Sequence, residues 1–294
     1  QRGNRDNNGE GAPISMAYRM QPIVPVYDIK GNFAGSKAPE MGNANNPMAQ
    51  LYRARNNRGE WARLLGSAYA EITPVKGLAV KSLLGYDYGQ WNYKGYTIPN
   101  PEASEPNYTN GMSEDGSYSL TWNWTNTASY NTTINDIHKF NLVLGTEAIA
   151  YRYVYFGASR SQYFSEDPKY MQLDVGEINR DNYGSGREWS LFSQFGRLNY
   201  DLMSKYFLEA TVRRDGSSKF SPDNRYGVFP AVSLGWLMSE ENFMAGTKSW
   251  LDLFKLRMGW GESGNDRIGE YNYFSTFASN GYTAAYALNG SNTE

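Results

Sequence analysis

Residues 118–131 read Tyr118-Ser-Leu-Thr-Trp-Asn-Trp-Thr-Asn-Thr-Ala-Ser-Tyr-Asn131, and the two parities of that run suit different solvents. The odd positions, Ser119, Thr121, Asn123, Thr125, Thr127, Ser129 and Asn131, are all small and polar. The even positions, Tyr118, Leu120, Trp122, Trp124, Asn126, Ala128 and Tyr130, are nearly all apolar or aromatic. Side chains alternate between the faces of a strand, so this is a strand with one greasy and one wet side. A soluble sheet can alternate too, but paired tryptophans over so long a strand suit one that faces lipid outside and a polar lumen inside.

The alternation returns on both sides of this run. In 137–156, Phe140, Leu142, Leu144, Ala148, Ala150, Val154 and Phe156 stand against Lys139, Asn141, Gly145 and Glu147. In 205–213, Tyr206, Leu208, Ala210 and Val212 alternate with Lys205, Glu209, Thr211 and Arg213. In 254–261, Phe254, Leu256, Met258 and Trp260 alternate with Lys255, Arg257, Gly259 and Gly261. Weaker patterns mark strands near 60–72, 78–91, 187–201, 226–238 and 271–288. The expectation is about nine strands, most at or above the roughly 9–11 residues that cross a bilayer at a tilt. Leu120, Trp122, Leu142, Leu144, Leu208, Val212, Leu256 and Met258 are expected to face outward. The fold class is therefore all-β: part of a large antiparallel transmembrane β-barrel, with a loop-rich stretch over 1–59 and strand hairpins over 60–294.

The connections alternate in length. Short ones fall at 73–77, 131–136 and 201–205, long ones at 90–117, 157–186 and 214–225. Outer-membrane barrels have short periplasmic turns and long outer loops, so the short ones are read as periplasmic and the long ones as extracellular. In 239–253, Ser239 is a candidate N-cap before Glu240 and Glu241, and a short helix is expected at that periplasmic turn. Near the N-terminus, Pro22-Ile-Val-Pro-Val-Tyr-Asp28 has two prolines in close succession, which suit an edge or an extended segment rather than a central strand. A long extracellular loop is preferred there over a domain linker.

Composition removes several functions. The 294 residues contain no cysteine and one histidine, which leaves no thiol chemistry or disulfide framework. A net charge of −2 and a pI near 5.7 argue against a nucleic-acid surface. No apolar run approaches the roughly 20 residues of a membrane helix, and a mean hydropathy of −0.65 is compatible with a barrel, in which half of each strand and all loops are polar. The polar start at Gln1 shows no apolar signal core, so an export signal is read as removed or lying outside this stretch.

Chemical motifs are few. Gly259-Trp-Gly-Glu-Ser-Gly264 fits G-x-G-x-x-G, but a dinucleotide site needs those glycines between a strand and a helix, and here they are read as a glycine-rich strand end. His138, beside Asp136 near a turn, has no second histidine or cysteine with which to hold a metal, and no nucleophile elbow accompanies it. The acidic loop with Asp167, Asp174, Glu177 and Asp181 lacks EF-hand spacing. Asp215-Gly-Ser-Ser218 reads as a turn in which Gly216 tolerates positive φ. No metal, cofactor or enzymatic activity is expected. The best ligand or lid contact is the aromatic loop with Trp91, Tyr93 and Tyr96, although aromatic residues of an interfacial girdle would explain Trp91 as well.

Longer motifs resemble a family. Tyr206-Phe-Leu-Glu-Ala-Thr-Val-Arg-Arg-Asp-Gly-Ser-Ser-Lys-Phe220, then Asn224-Arg-Tyr-Gly-Val-Phe-Pro230 and Ser233-Leu-Gly-Trp236, resemble the SusC/RagA group of TonB-linked outer-membrane transporters of Bacteroidetes. Leu256-Arg-Met-Gly-Trp-Gly-Glu-Ser-Gly-Asn265 is similar to the group's next hairpin, with Gly259 where a serine is common. Pro22–Asp28 with Gly31, Asn46-Pro47 and Gly85-Tyr-Asp87 follow the same order, so the resemblance covers most of the chain from about residue 20. On this resemblance Arg213, Asp215, Gly216, Ser217, Ser218, Phe220, Gly227, Phe229, Pro230, Gly235, Trp236, Trp260, Gly261, Gly264 and Asn265 are motif residues with a structural role.

The resemblance implies a protein about three times this long, with a plug, a TonB-contacting segment and a barrel of roughly 22 strands. It implies import of oligosaccharides, peptides or other oligomeric nutrients, powered by the TonB complex, with a SusD-like surface lipoprotein as a lid. Plug and TonB segment lie outside this stretch, which is read as an internal piece of such a barrel in the bacterial outer membrane. A small self-contained porin and a β-rich surface or adhesin domain remain as alternatives.

Overall fold

A computed structural model describes residues 13–273 and the backbone of 277–279 and 286–288. Eight strands form one sheet: β1 (Arg58–Val75), β2 (Leu78–Thr97), β3 (Gly111–Ile134), β4 (His138–Ser161), β5 (Ile178–Leu202), β6 (Tyr206–Ser217), β7 (Tyr226–Leu237) and β8 (Lys255–Gly261). Each pairs with its neighbour in sequence, so the sheet is an up-and-down meander. β3 and β4 have 24 residues each and β5 has 25, far beyond the usual five or six of a globular strand. All three more than cover the roughly 9–11 residues with which a strand crosses a bilayer at a tilt, and the antiparallel sheet is a part of a barrel.

The register of β5 to β8 shows why this sequence folds so. Antiparallel partners share a face. One face carries the rows Leu202–Tyr206–Trp236–Leu256, Tyr200–Leu208–Leu234–Met258 and Leu198–Ala210–Val232–Trp260. The other carries Asp201–Phe207–Gly235–Arg257, Asn199–Glu209–Ser233–Gly259 and Arg197–Thr211–Ala231–Gly261. The apolar rows are solvent-exposed rather than buried: Val212 is 50%, Leu234 57% and Met258 76% exposed. A sheet that presents so wide an apolar face needs an apolar cover, lipid or protein, against it.

The tight connections are built from left-handed residues. Asn135 and Asp136 both have positive φ, as do Met203 and Ser204; each pair is central to a turn, the first closed by the Ile137 N–H on the Ile134 carbonyl and the second by the Lys205 N–H on the Leu202 carbonyl. Between β1 and β2, Gly77 has φ +87°, and a side chain there would run into the Asn131 carbonyl.

Two compact units are distinguished. One comprises the described residues up to Leu64 with Tyr88–Ser119 and Tyr153–Gly186; the other comprises Leu65–Asp87, Leu120–Arg152 and the described residues from Arg187. The first has a core of its own, in which buried Met112, Tyr163 and Met171 pack with Tyr96 and Leu173. Every fully buried apolar side chain among the described residues belongs to this unit. It also holds α1 (Pro13–Arg19) and α2 (Pro47–Ala54). Asn46 caps α2 by accepting from the backbone N–H of Met48 and Ala49, and its amide donates to the carbonyls of Val26 and Ala34. Arg53 of α2 grips Glu102 with two hydrogen bonds of 2.6 and 2.9 Å.

Several sequence expectations are corrected. Within the stretch over 1–59 the described residues form two helices, α2 because Asn46-Pro47 supplies a cap and a first-turn proline, and β1 already starts at Arg58. The long connections shrink to 98–110, 162–177 and 218–225, since strand pairing continues past the apolar bands that marked the strands. A single strand over 271–288 is not formed: Tyr271–Tyr273 is a turn, and β9 (Phe277–Ser279) pairs only with β10 (Tyr286–Leu288), the remainder lying outside the described residues. After β7 the chain forms 3₁₀ segments, Met238–Glu240 and Asn242–Thr247, with Ser239 inside the first rather than capping an α-helix. Gly216 is paired in β6 without positive φ; it is small because the Tyr226 ring lies over it.

Candidate functional site

The polar face of the second unit is continuous and internally bonded. An amide ladder crosses three strands: Asn141 donates to Asn131 at 2.6 Å, and Asn199 donates to Asn141 at 3.1 Å. Beside it, Lys139 donates to the Ser204 hydroxyl at 2.9 Å and lies 3.7 Å from Asp201. Arg197 pairs with Glu209 at 2.8 Å, and the Lys255 ammonium sits 3.7 Å from the centre of the Phe207 ring. Asn141, Asn199, Glu209, Ser233, Lys255 and Arg257 line a recess of about 1030 Å³ on this face.

Further along the strands, Arg213 gathers the strongest cluster. Its Nη2 donates to Glu147 at 2.9 Å and to buried Ser193 at 2.8 Å, while Nε donates to Asp215 at 2.7 Å. The guanidinium lies 5.5 Å from the centre of the Phe195 ring, and Glu147 also accepts from Thr125 at 3.4 Å. Lys139, Arg197 and Arg213 each have a carboxylate partner, and the amide ladder is neutral. Such a surface offers paired donors and acceptors to a polyhydroxyl or peptide chain without a strong field of either sign.

Where β7 leaves the sheet, Glu241 forms a second hub. It accepts from the Tyr206 hydroxyl at 2.6 Å and the Trp236 indole N–H at 3.1 Å. The Tyr206 hydrogen bond, then that of Trp236, with Lys205 nearby, hold its carboxyl below the ordinary carboxylate range. In the first unit, Asp28 accepts from the backbone N–H of Asn32 and Lys30, which likewise lowers its pKa.

The three aromatic candidates separate. Trp91, Tyr93 and Tyr96 lie on β2, not in a loop. Trp91 and Tyr93, two apart, share a face and stack with centroids 5.9 Å apart and planes 7° from parallel. Tyr96 has the opposite parity and packs into the Met112–Met171 core. Asp115, which sequence reasoning missed, accepts from both Tyr155 and Tyr183 at 2.8 and 2.7 Å, binding β3, β4 and β5 together. No local motif marks it, since its partners are distant in sequence.

The motif residues knit the end of β6 to its neighbours. Ser217, buried, donates to Asp266 at 3.3 Å, and Lys219 reaches the Asp266 carbonyl at 3.1 Å. Ser218 accepts from the backbone of Ser190, and the Phe220 N–H bonds to the Ser217 carbonyl. Gly227, Phe229 and Pro230 pair with Asp215, Arg213 and Val212, and Gly235 pairs with Phe207. Trp260 and Gly261 pair with Val232 and Ala231. Gly264 leaves room for the Phe229 ring, and Asn265 accepts from the Arg267 N–H. His138 bonds Tyr200 through Nδ1 at 2.8 Å. Among the described residues no cluster of histidine and carboxylate groups could hold a metal.

Known proteins are similar to this chain in sequence and in fold. TonB-dependent receptor P39 of Formosa agariphila is 30% identical over 271 residues, 91% of this chain and 25% of that protein. TonB-dependent receptor SusC of Bacteroides thetaiotaomicron is 47% identical over 98 residues, 33% of this chain and 10% of that protein. The solved structure of the RagAB peptide transporter superposes with a TM-score of 0.77 at 27% identity, over 90% of this chain and 29% of that one. No family model matches the chain. It thus spans well under two thirds of the proteins that it matches.

Proposed function

Because this chain belongs to the SusC/RagA family of TonB-dependent outer-membrane receptors, as a stretch of their barrel, we propose that it lines the route by which such a receptor imports oligomeric nutrients. The observation that carries this reading is the two-faced register of β5 to β8, with apolar rows on one side and the bonded polar rows on the other. The apolar rows face the lipid of the outer membrane, and the polar rows face the lumen. Oligosaccharides and peptides are the cargo, since the amide ladder and compensated charges suit neutral, hydrogen-bonding chains. The RagAB relative, a peptide transporter, supports the peptide arm of that pair. A SusD-like lipoprotein is the outer partner and the TonB complex supplies energy through other parts of the receptor. The stacked Trp91–Tyr93 pair is the preferred contact for cargo or lid. Connections 98–110, 162–177 and 218–225 lie outside the cell, and the tight turns lie in the periplasm. A porin or an adhesin domain has less support, since the relatives matched along most of this chain are much longer receptors.

The test is made in the full-length receptor on whole cells. Epitope tags at Asn107 and Asp174 should be reachable by antibody, and one at Pro74 should not. Deleting part of 98–110 should weaken lid association or nutrient uptake while the barrel still folds. An exposed tag at Pro74 with hidden ones at Asn107 and Asp174 would invert the orientation and remove the assignment of partner-facing loops.

A further inference from the structure

Between β7 and β8 the chain does not turn tightly as it does at Met203–Ser204. It runs instead through two 3₁₀ segments over 238–247 and reaches β8 at Lys255. This connection is conspicuously apolar at its surface: Phe243 is 65%, Trp250 73% and Leu253 68% exposed. Phe243 lies edge-on to Trp236 at 6.3 Å, and Trp236 stacks on Tyr206 at 6.5 Å. Tyr206 and Trp236 belong to the apolar face, in the row with Leu256.

Both of these rings turn their polar tips to one atom. The Tyr206 hydroxyl and the Trp236 indole N–H each donate to Oε1 of Glu241. Aromatic bodies in an apolar layer with their polar ends gathered at its border are the arrangement of a membrane–water interface. Next along the same face, an apolar hollow of about 530 Å³ opens among Leu208, Leu234 and Met258, large enough for a length of acyl chain.

We propose that the 238–253 connection is an interfacial membrane anchor, lying on the phospholipid leaflet at the turn side of the sheet. Phe243 and Trp250 sink among the headgroups and the first acyl carbons, continuous with the chains that cover Leu234 and Met258. Lipid is the occupant because exposed Phe243 packs edge-on to Trp236, and the row of Trp236 with Leu256 continues into the face that hydrocarbon covers. The proposal rests on the barrel reading given above.

The experiment uses the full-length receptor in vesicles of phosphatidylethanolamine and phosphatidylglycerol. A bimane fluorophore is attached in turn to Phe243→Cys, Trp250→Cys, Leu234→Cys and Met258→Cys, in a parent without other reactive thiols. Heat-modifiable mobility confirms that each variant is folded. The anchor predicts blue-shifted emission at 243 and 250, quenching by lipids with a nitroxide near the carbonyl, and resistance to iodide. Labels at 234 and 258 should be quenched by lipid nitroxides placed deeper in the chain. Iodide quenching at 243 and 250, with 234 and 258 still lipid-quenched, overturns the anchor alone. Protection at 243 and 250 from both quenchers means that protein covers them, and overturns it too. Iodide quenching at all four sites overturns the barrel reading itself.

Discussion

Arg213 on β6 reaches past the intervening strand to Glu147 on β4, Nη2 to Oε2 at 2.9 Å, with Ser193 of β5 beneath the guanidinium. Three strands are thereby tied by one side chain, at a point where the Phe195 ring covers the guanidinium. Both partners are partly open, with side chains 35% and 25% exposed, so water screens the pair. A double-mutant cycle of Arg213→Ala and Glu147→Ala should give a coupling of about 0.5–1 kcal/mol. Arg213→Lys should recover little, because one ammonium cannot replace the fork that serves Glu147, Ser193 and Asp215. Denaturant midpoints of the full-length barrel in detergent measure both.

Parity sets the tolerance to charge on β6. Leu208 lies in the apolar row with Leu234 and Met258, and Glu209 in the polar row with Asn199 and Ser233. Leu208→Arg, one row in from the interfacial Tyr206, should cost about 1–2 kcal/mol in a bilayer, between the interface and midplane costs of a charge. Glu209→Gln should cost far less, losing only an exposed pair with Arg197. Equal losses for the two, read from unfolding in lipid, would contradict the assignment of the faces.

The β5–β6 turn holds Met203 and Ser204 at φ +56°, where neither residue is at ease. Replacing the pair by Asn-Gly keeps the hairpin geometry and removes the side-chain conflict. The double variant Met203→Asn with Ser204→Gly should raise stability by about 0.5–1 kcal/mol without changing uptake. A fall in thermal midpoint would show that contacts of Met203, or the hydrogen bond that the Ser204 hydroxyl accepts from Lys139, outweigh the backbone gain.

Glu241 makes the turn side of the sheet sensitive to acid. Its folded carboxyl titrates below the ordinary value of 4.5, through Tyr206 first and then Trp236. Its contribution is therefore complete above that ordinary value and is lost as pH falls through the lower, folded pKa. Glu241→Gln should be less stable near neutrality, with a flatter stability profile below pH 4.5 than the parent. Unfolding midpoints across an acid series give the two slopes, and identical slopes would remove Glu241 as the titrating group.

The sheet was legible in sequence wherever one parity was apolar, as in 118–131 and 205–213. Its outer reaches were not. In 92–97 and 111–117 glycine and polar side chains occupy both parities, so the pattern faded while backbone pairing continued. The same fading made Trp91, Tyr93 and Tyr96 look like one loop, when pleating turns Tyr96 into a core and leaves the other two stacked. The Arg213 and Asp115 clusters were illegible for another reason: their partners lie on different strands, and register, not local pattern, brings them together.

That register has an arithmetic consequence for how such a wall can change over generations. Inserting one residue into β6 would carry Glu209 and Arg213 to the side now held by Leu208 and Val212, and every later residue of the strand with them. Inserting two restores the order after a local bulge. Lineages of this sheet should therefore lengthen and shorten their strands in even steps, while 98–110, 162–177 and 218–225, which have no parity to keep, accept any number. Comparing strand and connection lengths across relatives would show odd differences confined to the connections.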